Sequence, residues 1–118
     1  MKSTLYQYAL RNVFVVDGDT LKGDLDLGFN VSLTAVKVRL EHVNCPEKDT
    51  AEGVAAKDFT LAWVAQKTAK QEPIVVMVKN HREDKYGRIL GSIFSAGEDL
   101  AQQIKLANHG VDYEGGKR

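Results

Sequence analysis

The chain is poor in the residues that crosslink or interrupt a fold. Among its 118 residues there is one cysteine, Cys45, and there are two prolines, Pro46 and Pro73. A single cysteine excludes an internal disulfide, which fits a reducing compartment but also a secreted protein without disulfides. Both prolines stand at apparent boundaries between elements, so they predict where strands and helices end.

Long apolar runs are absent as well. No run of consecutive apolar residues exceeds five, whereas a membrane span needs about 18 or more. The apolar part of a secretory signal needs about 7–15 such residues. We therefore expect a cytoplasmic protein that does not enter a membrane.

An excess of basic charge is also lacking. The 16 lysine and arginine residues are balanced by 16 aspartate and glutamate residues, although many nucleic-acid-binding proteins are clearly basic. Any site for a polyanion must therefore depend on local segregation of charge and not on overall attraction.

The apolar residues that are present follow the periods of strands and helices. In the predicted strands apolar residues alternate with polar or small ones. This alternation shifts by one residue between Leu10 and Val13 and again after Ala35, which predicts bulges or sharp bends. A helix is expected to begin at Asp49 or Thr50, either of which could cap it. The predicted elements are, in order, a strand over 6–15, a hairpin of strands over 21–27 and 31–40, a helix over 49–71, strands over 74–78 and 89–94, and a helix over 98–108.

This order of elements predicts one α+β domain. Three strands, a helix, two strands and a helix suit a five-stranded, strongly coiled barrel of the oligonucleotide-binding (OB) type with helices at its ends. The length of 118 residues fits a single domain. We expect this domain to cover residues 1–112 and residues 113–118 to form a flexible tail.

A first candidate motif is Asp17-Gly18-Asp19-Thr20, which places two carboxylates around a glycine between two predicted strands. Taken alone it is typical of a hairpin turn, because Asp-Gly is a strong turn signal.

A second candidate motif runs from Arg39 to Glu47, with the sequence RLEHVNCPE. Arg39 lies within an apolar strand, where an unpaired guanidinium is costly, so a structural salt bridge is one interpretation. Pro46 favours an extended conformation at Cys45, which puts Glu47 on a turn just after the strand. Simple alternation places Arg39 and Asn44 on opposite faces, so a shared site requires a bend before Asn44.

A third candidate motif, Asp84-Lys85-Tyr86-Gly87-Arg88, lies between two predicted strands in a cationic segment. Taken alone it is typical of a solvated hairpin loop. The three motifs together, however, are similar in order and approximate spacing to those of the staphylococcal nuclease (thermonuclease) family. The resemblance covers about Val15 to Gly110, and its compact form resembles phage-encoded members.

The resemblance implies an OB-type barrel and calcium-dependent hydrolysis of DNA and RNA by water. It implies that Asp19 is a Ca²⁺ ligand, that Asn44 occupies a second ligand position and that Cys45 offers its backbone carbonyl. Asp17 is expected to act on the ion through water. Glu47 is expected to orient or deprotonate the attacking water.

The resemblance also assigns the contacts with the substrate. Arg39 and Arg88 are expected to grip the scissile phosphate, and Lys85 and Tyr86 to line the nucleotide site. The expected partner is single-stranded or locally melted nucleic acid, and a monomer is the default oligomeric state. Such roles make chemical sense, since attack on an anionic diester needs positive charge and a positioned base.

Three departures from the family pattern matter: an asparagine, Asn44, stands where the family usually has aspartate, the hairpin between Asp19 and Arg39 is several residues longer, and the further carboxy-terminal helix with its tyrosines is not expected. Asn44 and the zero net charge leave a second interpretation open. The leading interpretation is an active nuclease, since Asp19, Arg39, Glu47 and Arg88 are all present. The alternative is a catalytically weak or inactive module that binds nucleic acid or protein.

Overall fold

The computed structural model describes residues 6–78 and 87–112. Residues Lys85 and Tyr86 and the expected tail over 113–118 lie outside the described residues. In chain order the elements are β1 (Tyr6–Asp17), β2 (Thr20–Gly28), β3 (Val31–Leu40), α1 (Ala51–Ala69), β4 (Val75–Val78), β5 (Ile89–Ser95), β6 (Glu98–Asp99) and α2 (Leu100–Leu106).

The strands form one sheet that closes into a barrel. Neighbouring strands follow the order β3-β2-β1-β4-β5-β6, and an additional parallel pairing joins β3 to β5. In that pairing Val38 lies opposite Ile89 and Leu40 opposite Gly91. Five strands therefore close the barrel and β6 is an extra strand, so the predicted OB-type α+β fold is confirmed.

Both irregularities predicted from the alternation of apolar residues, one near Asn12 and one at Ala35, are present in the strands. Asn12 has a φ of 53° and Ala35 a φ of 55°, and the β1–β2 register shifts between Arg11 and Phe14. Asp24 bonds to both positions, since its carboxylate accepts from the Asn12 amide at 2.8 Å and from the Ala35 backbone N–H at 2.9 Å. The bulges bend the β2–β3 hairpin and its neighbour β1 into the curvature that a closed barrel requires.

The helices are close to their predicted positions. Thr50 is the N-cap of α1 and accepts a hydrogen bond from the Gly53 N–H. Helix α2 is shorter than predicted, because Glu98 pairs in β6 and Asp99 is its N-cap. A two-residue strand carries no periodic signal, which is why the sequence did not predict β6.

The core fills the barrel and the space beneath the helices. Helix α1 contributes Trp63 and Val64 to it and buries Lys67, whose ammonium lies 2.8 Å from the Glu98 carboxylate. Within residues 6–78 and 87–112, no helix is both long and apolar enough to cross a membrane. The fully buried apolar side chains of the strands and of α2 are Leu21, Val38, Leu40, Val76, Val78, Ile93, Leu100 and Ile104.

Candidate active site

The first motif is the turn between β1 and β2, where Asp17 pairs with Thr20. The hairpin interpretation is therefore correct, but the turn is also packed against two other segments. A Cβ added at Gly18 would lie 2.9 Å from the Cys45 Sγ and 3.0 Å from the Ala56 Cβ. Thr60 on α1 donates a 2.8 Å hydrogen bond to the Gly18 carbonyl. Glycine is needed here because of close packing.

Asp19 is where the first and second motifs meet. It is 8% exposed, and its Oδ2 accepts a 2.9 Å hydrogen bond from the Cys45 backbone N–H. The same Oδ2 lies 3.7 Å from the Arg39 Nη2, and the Thr20 hydroxyl is 3.3 Å from Oδ1. Asp19 thus fixes the segment that carries Cys45 against the β1–β2 turn.

Arg39 organises the end of β3. Its Nη1 donates to the carbonyls of Leu40 at 2.7 Å and Val43 at 2.9 Å, and its Nη2 donates to the Asn44 Oδ1 at 3.1 Å. The chain turns back after β3 through His42, which has a φ of 72°. The bend that a shared site requires is therefore present, and it brings Arg39 and Asn44 together. The salt-bridge interpretation also holds, since Arg39 pairs with Asp19.

The segment after this bend is held at both ends. Asn44 forms an antiparallel bridge with Val111, with hydrogen bonds of 2.8 and 3.0 Å. Cys45 is half-buried, and desolvation together with the Asp19 carboxylate raises the pKa of its thiol to about 12. The thiol therefore stays protonated near neutral pH. Glu47 follows two residues later and is exposed.

One carboxylate oxygen of Asp17 is buried. This Oδ1 accepts no hydrogen bond from the residues that the structure describes. A buried carboxylate oxygen without a donor needs an explanation, such as a bound ion or water. The role through water that is expected for Asp17 from the resemblance agrees with this observation and stays a prediction.

Arg88 precedes β5 and is half-buried. The parallel register pairs Arg39 with Leu90, so Arg88 stands two residues before the position opposite Arg39. Strand closure thereby places Arg88 near the end of β3 that carries Arg39. Lys85 and Tyr86, which precede it, lie outside the described residues.

A cleft beside the site was not anticipated from the sequence. It has a volume of about 280 Å³ and lies between residues 44–46 and residues 108–111. His109 lines it and packs on Phe59, with ring centroids 5.1 Å apart. The cleft depends on the bridge between Asn44 and Val111, a long-range pairing that no local pattern reveals.

The donors near Asp19 suit a hard cation only in part. Within the described ranges, no three histidine, cysteine, aspartate or glutamate side chains cluster as metal ligands. The available donors are oxygens, namely the carboxylates of Asp17 and Asp19, the Asn44 amide and the Cys45 carbonyl, and oxygens are what Ca²⁺ takes. The Asn44 oxygen already accepts from Arg39, whereas the Asp17 Oδ1 accepts no hydrogen bond from the described residues. The donor types therefore suit Ca²⁺, although the described residues do not form an assembled cluster of acidic ligands.

Comparisons with known proteins agree with the fold and with the second and third motifs. A family model described as "Staphylococcal nuclease homologue" matches residues 37–111, a range that includes Arg39, Glu47 and Arg88. Two curated relatives, each named "Uncharacterized endonuclease", come from Escherichia coli and Escherichia coli O157:H7. They are 36% and 35% identical over 85 residues, which is 72% of this chain and 47% of each relative. The chain thus spans about half the length of these relatives.

Proposed function

The chain belongs to the family of staphylococcal nuclease homologues, and from this membership we propose that it is a nuclease that hydrolyses phosphodiester bonds in DNA or RNA and depends on Ca²⁺. The observation that carries the proposal is the junction at Asp19. There one carboxylate joins the Cys45 backbone and the Arg39 guanidinium, so the motifs for metal and phosphate binding share one site. The proposed substrate is single-stranded or locally melted nucleic acid.

The proposed reaction is in-line attack of water on the scissile phosphorus, in which a new P–O bond forms as the bond to the leaving ester oxygen breaks, and the leaving oxygen takes a proton from the solvent. Glu47 orients the water and accepts its proton, while the negative charge that develops on the phosphate oxygens is stabilised by Arg39 and Arg88. Guanidinium groups suit this task because their planar donors bind phosphate oxygens in pairs. From the resemblance, Lys85 and Tyr86 would hold the adjacent nucleotide.

The proposed ion site consists of Asp19, Asp17 and the Cys45 carbonyl, with Asn44 at its edge. When bound, Ca²⁺ supplies positive charge beside the phosphate. The chain's own contribution is to hold these oxygens in place. The Cys45 N–H donates to one oxygen of Asp19 at 2.9 Å, and the buried Asp17 Oδ1 accepts no hydrogen bond from the described residues.

A cleavage assay tests the proposed function. We expect single-stranded DNA to be degraded in millimolar Ca²⁺, the activity to disappear with a calcium chelator and to return when Ca²⁺ is added back. RNA of the same sequence tests the nucleic acid preference in parallel. Cleavage that persists in chelator would contradict the Ca²⁺-dependent mechanism. Binding of DNA without cleavage at millimolar Ca²⁺ would instead support a binding module.

Asn44→Asp is expected to strengthen Ca²⁺ binding. An added carboxylate beside Asp19 raises the local negative charge, and we expect the Kd for Ca²⁺ to fall about tenfold, which corresponds to ~1.4 kcal/mol of added attraction. Isothermal titration calorimetry measures this change. Asn30→Asp adds the same charge at the tip of the β2–β3 hairpin and should leave the Kd unaltered. Unchanged or weaker binding by Asn44→Asp would mean that residue 44 does not face the ion.

A further inference from the structure

The backbone of Glu47 lies directly on the first turns of α1, at Gly53. A Cβ built at Gly53 would overlap the Glu47 carbonyl oxygen. It would also lie 2.6 Å from the Glu47 carbonyl carbon and 2.9 Å from the Lys48 Cα. These are backbone atoms, so a rotamer change cannot relieve the overlap. Gly53 lies within α1, where glycine is otherwise less favourable than alanine. The close approach explains why a glycine stands at this position.

Thr50, the N-cap of α1, binds the Glu47 carbonyl. The Glu47 carbonyl accepts a 2.7 Å hydrogen bond from the Thr50 hydroxyl and a 3.1 Å bond from the Thr50 N–H. The Thr50 hydroxyl oxygen in turn accepts from the Gly53 N–H at 3.0 Å. Glu47, Thr50 and Gly53 therefore form one tight turn, which fixes the backbone of Glu47 on the helix end.

The same helix also supports the other half of the site. Thr60 donates to the Gly18 carbonyl at 2.8 Å, and Ala56 packs on Gly18. Gly53, Ala56 and Thr60 all lie on the buried face of α1. Because a helix is rigid over two turns, its contacts set the spacing between the backbone of Glu47 and the Asp17–Thr20 turn.

We propose that Gly53, together with Thr50, is a positioning residue that places Glu47 for catalysis. This inference rests on the proposed function, because it assumes that Glu47 acts on the attacking water. The exposed Glu47 side chain is placed by its backbone: Pro46 restricts the chain before it, and Thr50 and Gly53 hold the carbonyl after it. Neither Gly53 nor Thr50 touches the substrate in this proposal.

Gly53→Ala tests the role of the close approach. The new methyl must push Glu47 away from α1, and we expect kcat to fall about 10²-fold, as it does for catalytic groups displaced by about 1 Å. KM should stay unchanged, because the phosphate contacts of Arg39 and Arg88 are not altered. Gly23→Ala is the matched control, since its Cβ would lie 2.7 Å from the Arg11 carbonyl oxygen, where β2 pairs with β1. It should lower the Tm and leave kcat unchanged.

A double-mutant cycle separates positioning from a general loss of structure. In Glu47→Gln protein, Gly53→Ala should lower the residual rate no further, because the group that it displaces is already gone. An equal further loss would overturn the proposal, as would a Gly53→Ala protein with the parental kcat.

Thr50 provides a second variant if Gly53→Ala does not fold. Thr50→Ser keeps the hydroxyl and should keep most of kcat, whereas Thr50→Val keeps the shape, loses both bonds of the hydroxyl and should lose kcat with KM unchanged. Equal rates for the two variants would overturn the proposal. A parental protein that cleaves nothing would refute the proposed function itself, so the two failures are distinguishable.

Discussion

Glu47→Gln is expected to lower kcat by about 10²–10⁴-fold, the usual contribution of a positioned general base. Glutamine keeps the size of the side chain and can still bond to a water molecule, but it cannot accept the proton. KM should change little, because the proposed contacts to the phosphate come from Arg39 and Arg88. Steady-state cleavage of a short fluorogenic single-stranded DNA in Ca²⁺ measures both constants.

Glu52→Gln is the matched control for this variant. Glu52 is an exposed acid in the first turn of α1, five residues after Glu47, so it loses the same charge at nearly the same place. Both side chains are exposed, and both variants should melt near the parental Tm. A Glu47→Gln protein with the parental kcat would remove Glu47 from the mechanism. An equal loss in both variants would assign the effect to local charge.

Much of the fold could be predicted because its signals are local. The alternation of apolar and polar residues predicts the strands. It is interrupted at Asn12 and Ala35, and the structure has an irregular backbone at both positions. Thr50 was one of two expected caps for α1. The parallel pairing of β3 with β5 has no such signal, since it joins distant segments. The prediction of a closed barrel therefore depended on the order of the elements.

The composition of the site was predictable, but its organisation was not. Arg39 was expected to bind phosphate. Its guanidinium also donates hydrogen bonds to three acceptors at and just after the end of β3. The positive φ at His42, which makes this possible, has no clear signature in the sequence. Gly53 did have a signal, because an isolated glycine within a helical pattern often has a packing reason.

The structure shows contacts of Asn44 that the sequence does not reveal. As a substitute for an aspartate it suggests only a weaker metal site. In the structure its side chain accepts from Arg39 and its backbone pairs with Val111, so it connects the guanidinium to the carboxy-terminal segment. In the proposed ion site Asp17 takes the place of the carboxylate missing at residue 44, and its Oδ1 is buried and accepts no hydrogen bond from the described residues.

Arg39→Met is expected to destabilise the fold by about 3–5 kcal/mol, the usual result of removing one partner from a buried ion pair. The Arg39 side chain is 9% exposed, and its loss leaves the carbonyls of Leu40 and Val43 without their donor and Asp19 without its cation. Activity should also be lost, because a phosphate-binding group is removed. Urea denaturation followed by Trp63 fluorescence gives the free energy of unfolding, and the cleavage assay gives the rate.

Arg39→Lys and Arg11→Met separate charge from geometry. Lysine keeps the cation but has a single nitrogen, which cannot reach two carbonyls and Asn44 as the guanidinium does. We therefore expect intermediate stability and a still large loss of kcat. Arg11→Met removes an exposed pair with Asp26, in which the arginine side chain is 65% exposed, and should cost no more than about 1 kcal/mol. If Arg39→Met were as mild as Arg11→Met, then Arg39 would not be the residue that holds the end of β3 and the Asp19 carboxylate together.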